Sequence, residues 1–257
     1  MNERERHSRA AWRRELHGAY VIAKKDAMIY YCKAPVLIFG VLFPVFFFLA
    51  FIIGREADPG MVVPGMVAMA LFFTASAVGP LVTPWERRSK TYERLITSPI
   101  SLLSIVIGDV VAGACFGAVL CLIPLAIGTT IGGAELTRPA LLALGVLLSA
   151  VCFASLGVVL AAPATDNPSQ VMMLSSLVRL PLLFVSGVFI PLSQMPQWSR
   201  IPACFSPLAY CTDLMRAAFG GANYFPLWLD VLMLPAFTMV LVAAGRIFHG
   251  RARIKGV

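Results

Sequence analysis

The sequence predicts an all-α integral membrane protein with six transmembrane helices, on three observations. Hydrophobic residues occupy 59% and charged residues only 13% of the 257 positions, whereas soluble domains carry about 25% charged residues. The mean hydropathy is +0.82. Apolar runs recur at lengths near the roughly 20 residues that a helix needs to cross a bilayer. The alternation typical of a membrane barrel is absent, which leaves helices as the spanning elements.

Six segments have this length and together define one transmembrane domain over residues 34–248. Three are free of charge, namely 34–53, 61–82 and 140–162. The other three each contain a carboxylate or a guanidinium: Asp109 in 102–131, Arg179 in 171–192 and Asp230 in 227–248. Prolines within these spans mark predicted bends, at positions 35, 44, 124, 181 and 235.

The distribution of Lys and Arg predicts the orientation of the chain. Residues 1–33 carry eight of them, residues 84–101 carry four and the end from Arg246 carries four, whereas the loops of the opposite side hold four in all. The positive-inside rule then places both termini and the 84–101 loop in the cytoplasm of a cell-membrane protein. No cleavable signal peptide opens the chain. The net charge of +8 is therefore interpreted as a topology signal, with no nucleic-acid partner.

The two cytoplasmic tails differ in pattern. Within residues 1–33, a helical spacing of three and four links Trp12, Leu16, Tyr20, Ala23 and Ala27. This predicts an amphipathic helix lying in the inner membrane interface, in contact with lipid. A solvated basic tail is the alternative. Residues 249–257 form a short basic tail.

A compact charged segment follows the second span. Six charged residues fall within nine positions, from Glu86 to Arg94. We predict a short amphipathic helix over 84–98 that ends before Pro99 and docks into a groove of a soluble partner. Glu86 precedes Lys90 by four residues, the favourable order for a helical ion pair. The alternative is an ordinary basic loop whose charges only set the topology.

The stretch after the fifth span is too apolar for an exposed loop and too rich in proline for a straight spanning helix. We predict that residues 193–222 enter the membrane from outside and turn back, packed among the helices. A folded extracellular cap is the alternative. A Cys204–Cys211 disulfide is left open, since a straight helix would hold the two residues too far apart and a break at Pro207 could bring them together.

These two segments, "ERRSKTYERLITSPIS" and "SGVFIPLSQMPQWSRIPACFSPLAYCTDLMR", together resemble the membrane subunit of exporter-type ATP-binding-cassette (ABC) transporters. That family includes permeases for drugs, nodulation factors and O-antigen polysaccharides. The matching residues of the first segment are Thr91, Glu93, Leu95, Pro99 and Ser101. Those of the second are Ser186, Gly187, Pro191, Leu192, Pro196, Trp198, Pro207, Leu208, Tyr210 and Arg216. Lys90 stands where the family has Gly, and Tyr92 where it has Leu, so the turn at Lys90 is expected to differ in shape.

The resemblance implies a coupling helix, an outer gate and a set of partners. The interface with the ATP-binding subunit would comprise Glu86, Arg87, Arg88, Lys90, Thr91, Tyr92, Glu93, Arg94, Leu95 and Pro99. The outer gate would comprise Ser186, Gly187, Pro191, Pro196, Trp198, Pro207, Tyr210 and Arg216. Two ATP-binding subunits and a second permease, identical or related, would complete the transporter, with ATP and Mg held by the partner.

No catalytic or metal-binding motif is found. The phosphate-binding GxxxxGK[ST] loop is missing, and no Gly-Lys pair occurs anywhere. The chain is therefore predicted to be a non-enzymatic transport subunit that binds no cofactor itself. Arg179 is either a pathway contact for an anionic group or a structural arginine bonded to a carboxylate or carbonyl.

The expected activity is ATP-driven export of an amphipathic, drug-like or lipid-linked substrate from the cytoplasm or inner leaflet outward. Export of a polysaccharide or lipo-oligosaccharide by the same family is the alternative. An ion-coupled carrier without an ATPase is a third class, which would require several buried carboxylates as ion sites. A membrane enzyme acting on lipid would require a convergent catalytic cluster, and none can be assembled from the sequence.

Overall fold

The computed structural model describes residues 17–26, 28, 37–55, 58–91, 102–161 and 167–254, and all regular elements in these ranges are helical. Five helices there are long and apolar enough to cross a membrane: Pro59–Arg88, Leu103–Thr130, Pro139–Leu160, Pro168–Val185 and Leu227–Phe248. The predicted all-helical, multi-span architecture is confirmed. The first predicted span, 34–53, coincides with a shorter apolar helix, so the count of six spans stays a prediction.

The helices are labelled in chain order. The first, α1, covers 17–26, and a π-helical turn at Ile38–Leu42 precedes α2. The remaining helices are α2 (Phe43–Arg55), α3 (Pro59–Ala75), α4 (Val78–Arg88), α5 (Leu102–Leu120), α6 (Leu122–Thr130), α7 (Pro139–Leu160), α8 (Pro168–Val185), α9 (Gln197–Ala203), α10 (Pro207–Ala218) and α11 (Leu227–Ile254).

Prolines explain where the spanning helices are interrupted. Pro80 lies four residues after Ser76, where the second span breaks between α3 and α4, and Pro124 follows the break at Cys121 between α5 and α6. A proline has no N–H to donate, and its ring clashes with the carbonyl of residue i−4. The predicted irregularities at Pro44 and Pro124 coincide with the π-helical turn and the Cys121 break, whereas α8 and α11 continue through Pro181 and Pro235. The sequence reasoning missed the break at Pro80.

Helix α7 lies at the centre of the bundle and packs against α3, α4, α5, α10 and α11. Phe153 on α7 meets Phe72 on α3 edge to face, with ring centroids 5.1 Å apart. Small residues allow the backbones of α4 and α7 to approach closely. A Cβ added to Gly79 would lie 2.1 Å from the carbonyl oxygen of Gly157, so a larger residue cannot fit without moving a helix.

The two ends of the bundle differ in chemistry. At one end, called the basic end, α1 contacts the end of α4 and the start of α5. At the other, the proline-rich end, the turns around α9 and α10 meet the start of α7, where the Arg138 N–H donates to the carbonyl of Ala218 at 2.8 Å.

The predicted re-entrant segment 193–222 consists of α9, α10 and the turns around them. All twelve residues of α10 are buried, against α3, α7 and α11. Cys204 and Cys211 are both free thiols, the first exposed and the second buried. The structure therefore contains no Cys204–Cys211 disulfide.

Candidate functional site

At the basic end, α1 packs tightly on α5. A Cβ at Gly108 would lie 2.8 Å from the Ile22 side chain and 2.9 Å from the Ala19 carbonyl oxygen, so this glycine permits the contact. Ala19, Ile22 and Asp26 form the buried face of α1, while Tyr20 and Val21 are exposed. Tyr20 therefore points away from the bundle, as a helix at the membrane interface would require. Trp12, Leu16 and Ala27 lie outside the described residues.

A buried cluster of charged side chains joins α1, α4 and α5. The Lys25 ammonium forms an ion pair with Glu86 on α4 and lies 3.2 Å from the Asp26 Oδ1 atom. Asp109 on α5 is close enough to Asp26 and Glu86 to interact electrostatically. Asp26 is fully buried, and Glu86 and Asp109 are 5% and 7% exposed. Three carboxyl groups thus surround one lysine side chain at this junction.

The surroundings shift the ionisation of both α1 residues. Burial disfavours the charged form of Lys25, but the carboxylates of Asp26 and Glu86 outweigh it and raise the pKa of Lys25 to about 12. Burial raises the pKa of the Asp26 carboxyl, although Lys25 opposes that shift. Lys25 is therefore charged at neutral pH and acts as the fixed cation of the cluster.

Two of the predicted interface residues, Glu86 and Arg87, are buried within the chain. Their contact with an ATP-binding subunit stays a prediction. The predicted Glu86–Lys90 pairing is wrong, because α4 ends at Arg88 and Glu86 pairs with Lys25 instead. Residues 84–88, predicted to begin a separate coupling helix, are the last turn of the second spanning helix.

An exposed turn follows directly. Arg88, Ser89, Lys90 and Thr91 are all exposed, and the Arg88 guanidinium lies over the Trp85 ring at 5.9 Å from its centroid. Trp85 is 42% exposed, and the sequence reasoning did not include it. The sequence does place Trp85 next to a cluster of cations, and tryptophan and arginine are both enriched at partner-binding surfaces.

Lys90 has a left-handed backbone, with φ of +55°. This is the conformation that glycine adopts without cost, and the family resemblance places a glycine at this position. The turn expected to change shape therefore keeps a glycine-like conformation. The Ser89 and Thr91 side chains support it by bonding the carbonyl of Glu86, at 3.3 and 3.2 Å. The remaining interface residues, Tyr92, Glu93, Arg94, Leu95 and Pro99, lie outside the described residues.

At the proline-rich end, several predicted gate residues are brought together. Gly187 ends α8 with φ of +77°, and its carbonyl accepts a hydrogen bond from Arg216 on α10. The Ser186 hydroxyl lies 2.8 Å from that of Ser206, next to Pro207 at the start of α10. These bonds fix the turn after the fifth span against α10.

Tyr210 ties α9 to α10. Its hydroxyl donates to the Cys204 carbonyl at 2.8 Å, and its ring stacks on Phe225 at 4.9 Å. Trp198 and Pro196 are not part of this arrangement, because both are exposed on the outside of α9. Pro191 lies between the two groups and lines a cavity with Arg216.

Arg179 is bonded to the backbone of a neighbouring helix. Its side chain is buried and donates to the carbonyl of Ser76, at the break between α3 and α4. In an uninterrupted helix that carbonyl would accept from residue 80, but Pro80 has no N–H. Arg179 thus satisfies a carbonyl that proline leaves free inside the bundle, as buried polar backbone requires. The structure shows the predicted bond to a carbonyl, and a pathway contact of Arg179 stays a prediction.

Comparison with known proteins identifies the family of this chain. The profile of the ABC-2 type transporter family matches residues 19–219, from within α1 to the residue after α10. This chain belongs to the ABC-2 type transporter family. It is 28% identical over 229 residues to Nodulation protein J of Bradyrhizobium diazoefficiens, covering 81% of this chain and 83% of that protein. Against Nodulation protein J of Rhizobium leguminosarum bv. trifolii it is 30% identical over 175 residues, covering 66% and 64%.

Membership of the ABC-2 family confirms the resemblance drawn from the two motifs. The chain is a multi-pass membrane permease, and the family implies association with an ATP-binding subunit. The match spans both the basic end and the proline-rich end, so both lie within the region that the family model covers.

Proposed function

We propose that this ABC-2 permease is the membrane half of an ATP-driven exporter that moves an amphipathic, drug-like or lipid-linked substrate from the cytoplasm or inner leaflet outward. The family match over residues 19–219 carries the proposal. The outward direction is supported by the resemblance of the two motifs to exporter-type permeases, a family that includes permeases for nodulation factors. A polysaccharide or lipo-oligosaccharide as cargo is the alternative within the family.

ATP and Mg would be bound by a separate subunit, because the chain has no phosphate-binding loop of its own. Two such subunits and a second permease, identical or related, would form a two-fold assembly. The basic end would face the cytoplasm with both termini, since α1, Arg87, Arg88 and Lys90 lie there and cations favour that side.

The ATP-binding subunit would dock on the exposed turn made by Trp85 and residues 88–91, continuing into 92–99. An aromatic ring flanked by exposed cations suits a groove that offers carboxylates and an apolar pocket. Glu86 and Lys25 would lie beneath this surface and join α1 to α4. A force on the turn would then reach α1 and the second span together, while ATP biases the transporter through its differential affinity for two states.

Replacement of the exposed pair tests this proposal. In Trp85→Ala/Arg88→Glu, we expect a loss of at least about tenfold in the amount of ATP-binding subunit that copurifies with the permease. Trp228→Ala is the matched control, because Trp228 is 67% exposed at the start of α11 near the other end. Equal copurification by both variants, with correct membrane insertion, would contradict the proposed docking surface.

A further inference from the structure

Asp230, in the first turn of α11 at the proline-rich end, is a buried carboxyl without a hydrogen-bond partner. Its side chain is fully buried, and within the described part of the chain neither of its oxygens accepts a hydrogen bond. The contact between α10 and this part of α11 is an apolar cluster that includes Leu214, Phe225 and Leu234. A buried polar group left in this state is rare and costly, so the carboxyl requires an explanation.

A second buried carboxyl, Asp213 on α10, lies close enough to Asp230 to interact with it electrostatically. Unlike Asp230, it has donors. Its oxygens accept from the Tyr224 N–H at 2.9 and 2.8 Å and from the Phe225 N–H at 2.7 Å. The Arg216 guanidinium on the same helix adds a favourable charge. These interactions favour the ionised form of Asp213, which opposes a second negative charge on Asp230.

None of the arginines described at this end forms an ion pair with Asp230. The Arg216 side chain donates to the carbonyl of Gly187, and Arg200 donates to a backbone carbonyl at 2.9 Å. Arg138, which precedes α7, is exposed. An ionised Asp230 would therefore lack both a cation and a hydrogen-bond donor among the described residues.

The remaining titratable groups on the helices around α11 carry no compensating charge. Tyr210 and Cys211 on α10 lie near Asp230 and are neutral when protonated. Helix α7 contains Cys152 as its one titratable residue. Helix α5 contributes Asp109, which belongs to the cluster at the basic end.

The start of α11 does not supply the missing donors either. A helix N-terminus favours an ionised carboxylate when its free N–H groups face that carboxylate. Here the N–H groups of Leu229 and Asp230 donate to the carbonyl of Pro226, at 2.8 and 3.4 Å. The ionised form of Asp230 thus remains uncompensated, whereas the neutral acid avoids the cost of burying a charge.

We propose that Asp230 is a proton-binding site, which holds its proton at neutral pH while α10 and α11 are packed together and releases it when they separate. Separation admits water to the carboxyl, and an aspartate in water titrates near pH 3.9. The packed state binds the proton more tightly, so opening becomes more favourable as the pH rises above that value. In the orientation of the proposed function this end faces the outside, and the external pH then sets how readily it opens.

The first experiment detects the proton. Infrared spectra of the full-length permease in lipid nanodiscs are recorded at about pH 7, and the spectrum of Asp230→Asn is subtracted from that of the wild type. We expect a carbonyl-stretching band of a protonated carboxylic acid, which shifts in D₂O. Absence of this band would show that Asp230 is ionised and would overturn the proposal.

Asp58→Asn is the matched control at the same end of the bundle, because Asp58 is exposed. The substitution preserves the cap of α3, where the Asp58 side chain accepts from the Gly60 N–H at 3.0 Å and asparagine caps equally well. The same subtraction for this variant should give no band of a protonated acid, since an exposed aspartate is ionised at that pH.

The second experiment measures opening by backbone hydrogen exchange and mass spectrometry, on the peptide that contains Tyr224 and Phe225. The rate in the wild type is divided by the rate in Asp230→Asn at each pH, which cancels the intrinsic pH dependence of exchange. Between about pH 5 and about pH 7 we expect this ratio to rise about tenfold per pH unit, the slope for one released proton.

Two further variants complete this test. Asp230→Leu is a second neutral reference with an apolar side chain, and its exchange should follow that of Asp230→Asn. Asp58→Asn should exchange like the wild type at every pH. A ratio that is the same at every pH, against both neutral references, would show that Asp230 is only structural and would refute the proton site.

The proton site and the proposed function fail in different ways. If the exchange ratio rises as expected but the permease moves no cargo with an ATP-binding subunit, the proposed function fails and the site stands. If ATP-driven transport proceeds while the ratio stays constant, the proton site fails and the proposed function stands.

Discussion

The ion pair between Lys25 and Glu86 is expected to make a measurable contribution to stability. Glu86 is 5% exposed, and the Lys25 side chain is 26% exposed. Breaking a fully buried ion pair costs about 3–5 kcal/mol, whereas exposed pairs couple by about 0.2–1 kcal/mol. The partial exposure of Lys25 places Lys25→Met between these limits, at about 2 kcal/mol. Glu86→Gln should cost a similar amount, because the mostly buried ammonium loses its pair with Glu86 and, among the described residues, keeps only the Asp26 carboxylate at 3.2 Å.

A double-mutant cycle isolates the pair. The variant Lys25→Met/Glu86→Gln removes both charges and should be less destabilised than the sum of the single variants, with a coupling energy of about 1.5–2 kcal/mol. The free energy of unfolding is measured by SDS titration in mixed micelles, followed by tryptophan fluorescence. Lys24→Met is the control, since Lys24 is exposed on the same helix. A coupling energy below about 0.5 kcal/mol would refute the reasoning from burial.

Three further predictions follow from single features. Lys90→Gly should stabilise the protein by about 1 kcal/mol, because the backbone at residue 90 has a φ of +55°, which glycine adopts without strain. Lys90→Ala removes the same charge and should not stabilise the protein. The same SDS titration measures both variants. Gly157→Ala should destabilise the protein by about 2 kcal/mol or more, because the added Cβ would lie 2.6 Å from the Ser76 carbonyl oxygen. Gly145→Ala on the same helix is the control and should be tolerated, because its Cβ would meet its nearest atom at 3.5 Å. The fraction of each variant that still elutes as folded protein from a size-exclusion column after heating distinguishes them. Burial raises the folded-state pKa of Asp26, so stability should fall as pH rises above the ordinary value of about 3.9, and Asp26→Asn should flatten that slope in unfolding measured between pH 4 and 7.

The sequence was sufficient for the five helices that are long enough to cross a membrane, because lipid imposes a length and an apolarity that can be counted. It was also sufficient for the bend at Pro124, since proline acts through its own backbone. It did not reveal the partner of Glu86, because Lys25 lies 61 residues away and only the packing of α1 on α4 and α5 brings them together. Glu86 had favoured a docking surface at 84–98, yet an internal ion pair accounts for it.

The same limit applies to Arg179 and to the gate. The sequence could not predict that the Arg179 side chain bonds the Ser76 carbonyl, which Pro80 leaves free. The two bonded residues are 103 positions apart, and no local pattern connects them. The motif at the proline-rich end named Gly187 and Arg216, which the structure joins by a hydrogen bond, and their role in an outer gate stays a prediction. It could not separate the buried members from the exposed Trp198, because the orientation of α9 depends on its turns.

The central claim is that this permease is driven through its basic end by a separate ATP-hydrolysing subunit. It is tested most directly by following transport of a labelled amphipathic substrate in sealed proteoliposomes that contain the permease with or without that subunit. We predict uptake or release only when the subunit and hydrolysable ATP are both present, and its loss in Trp85→Ala/Arg88→Glu. Transport by the permease alone, at a rate unaffected by ATP, would contradict the claim.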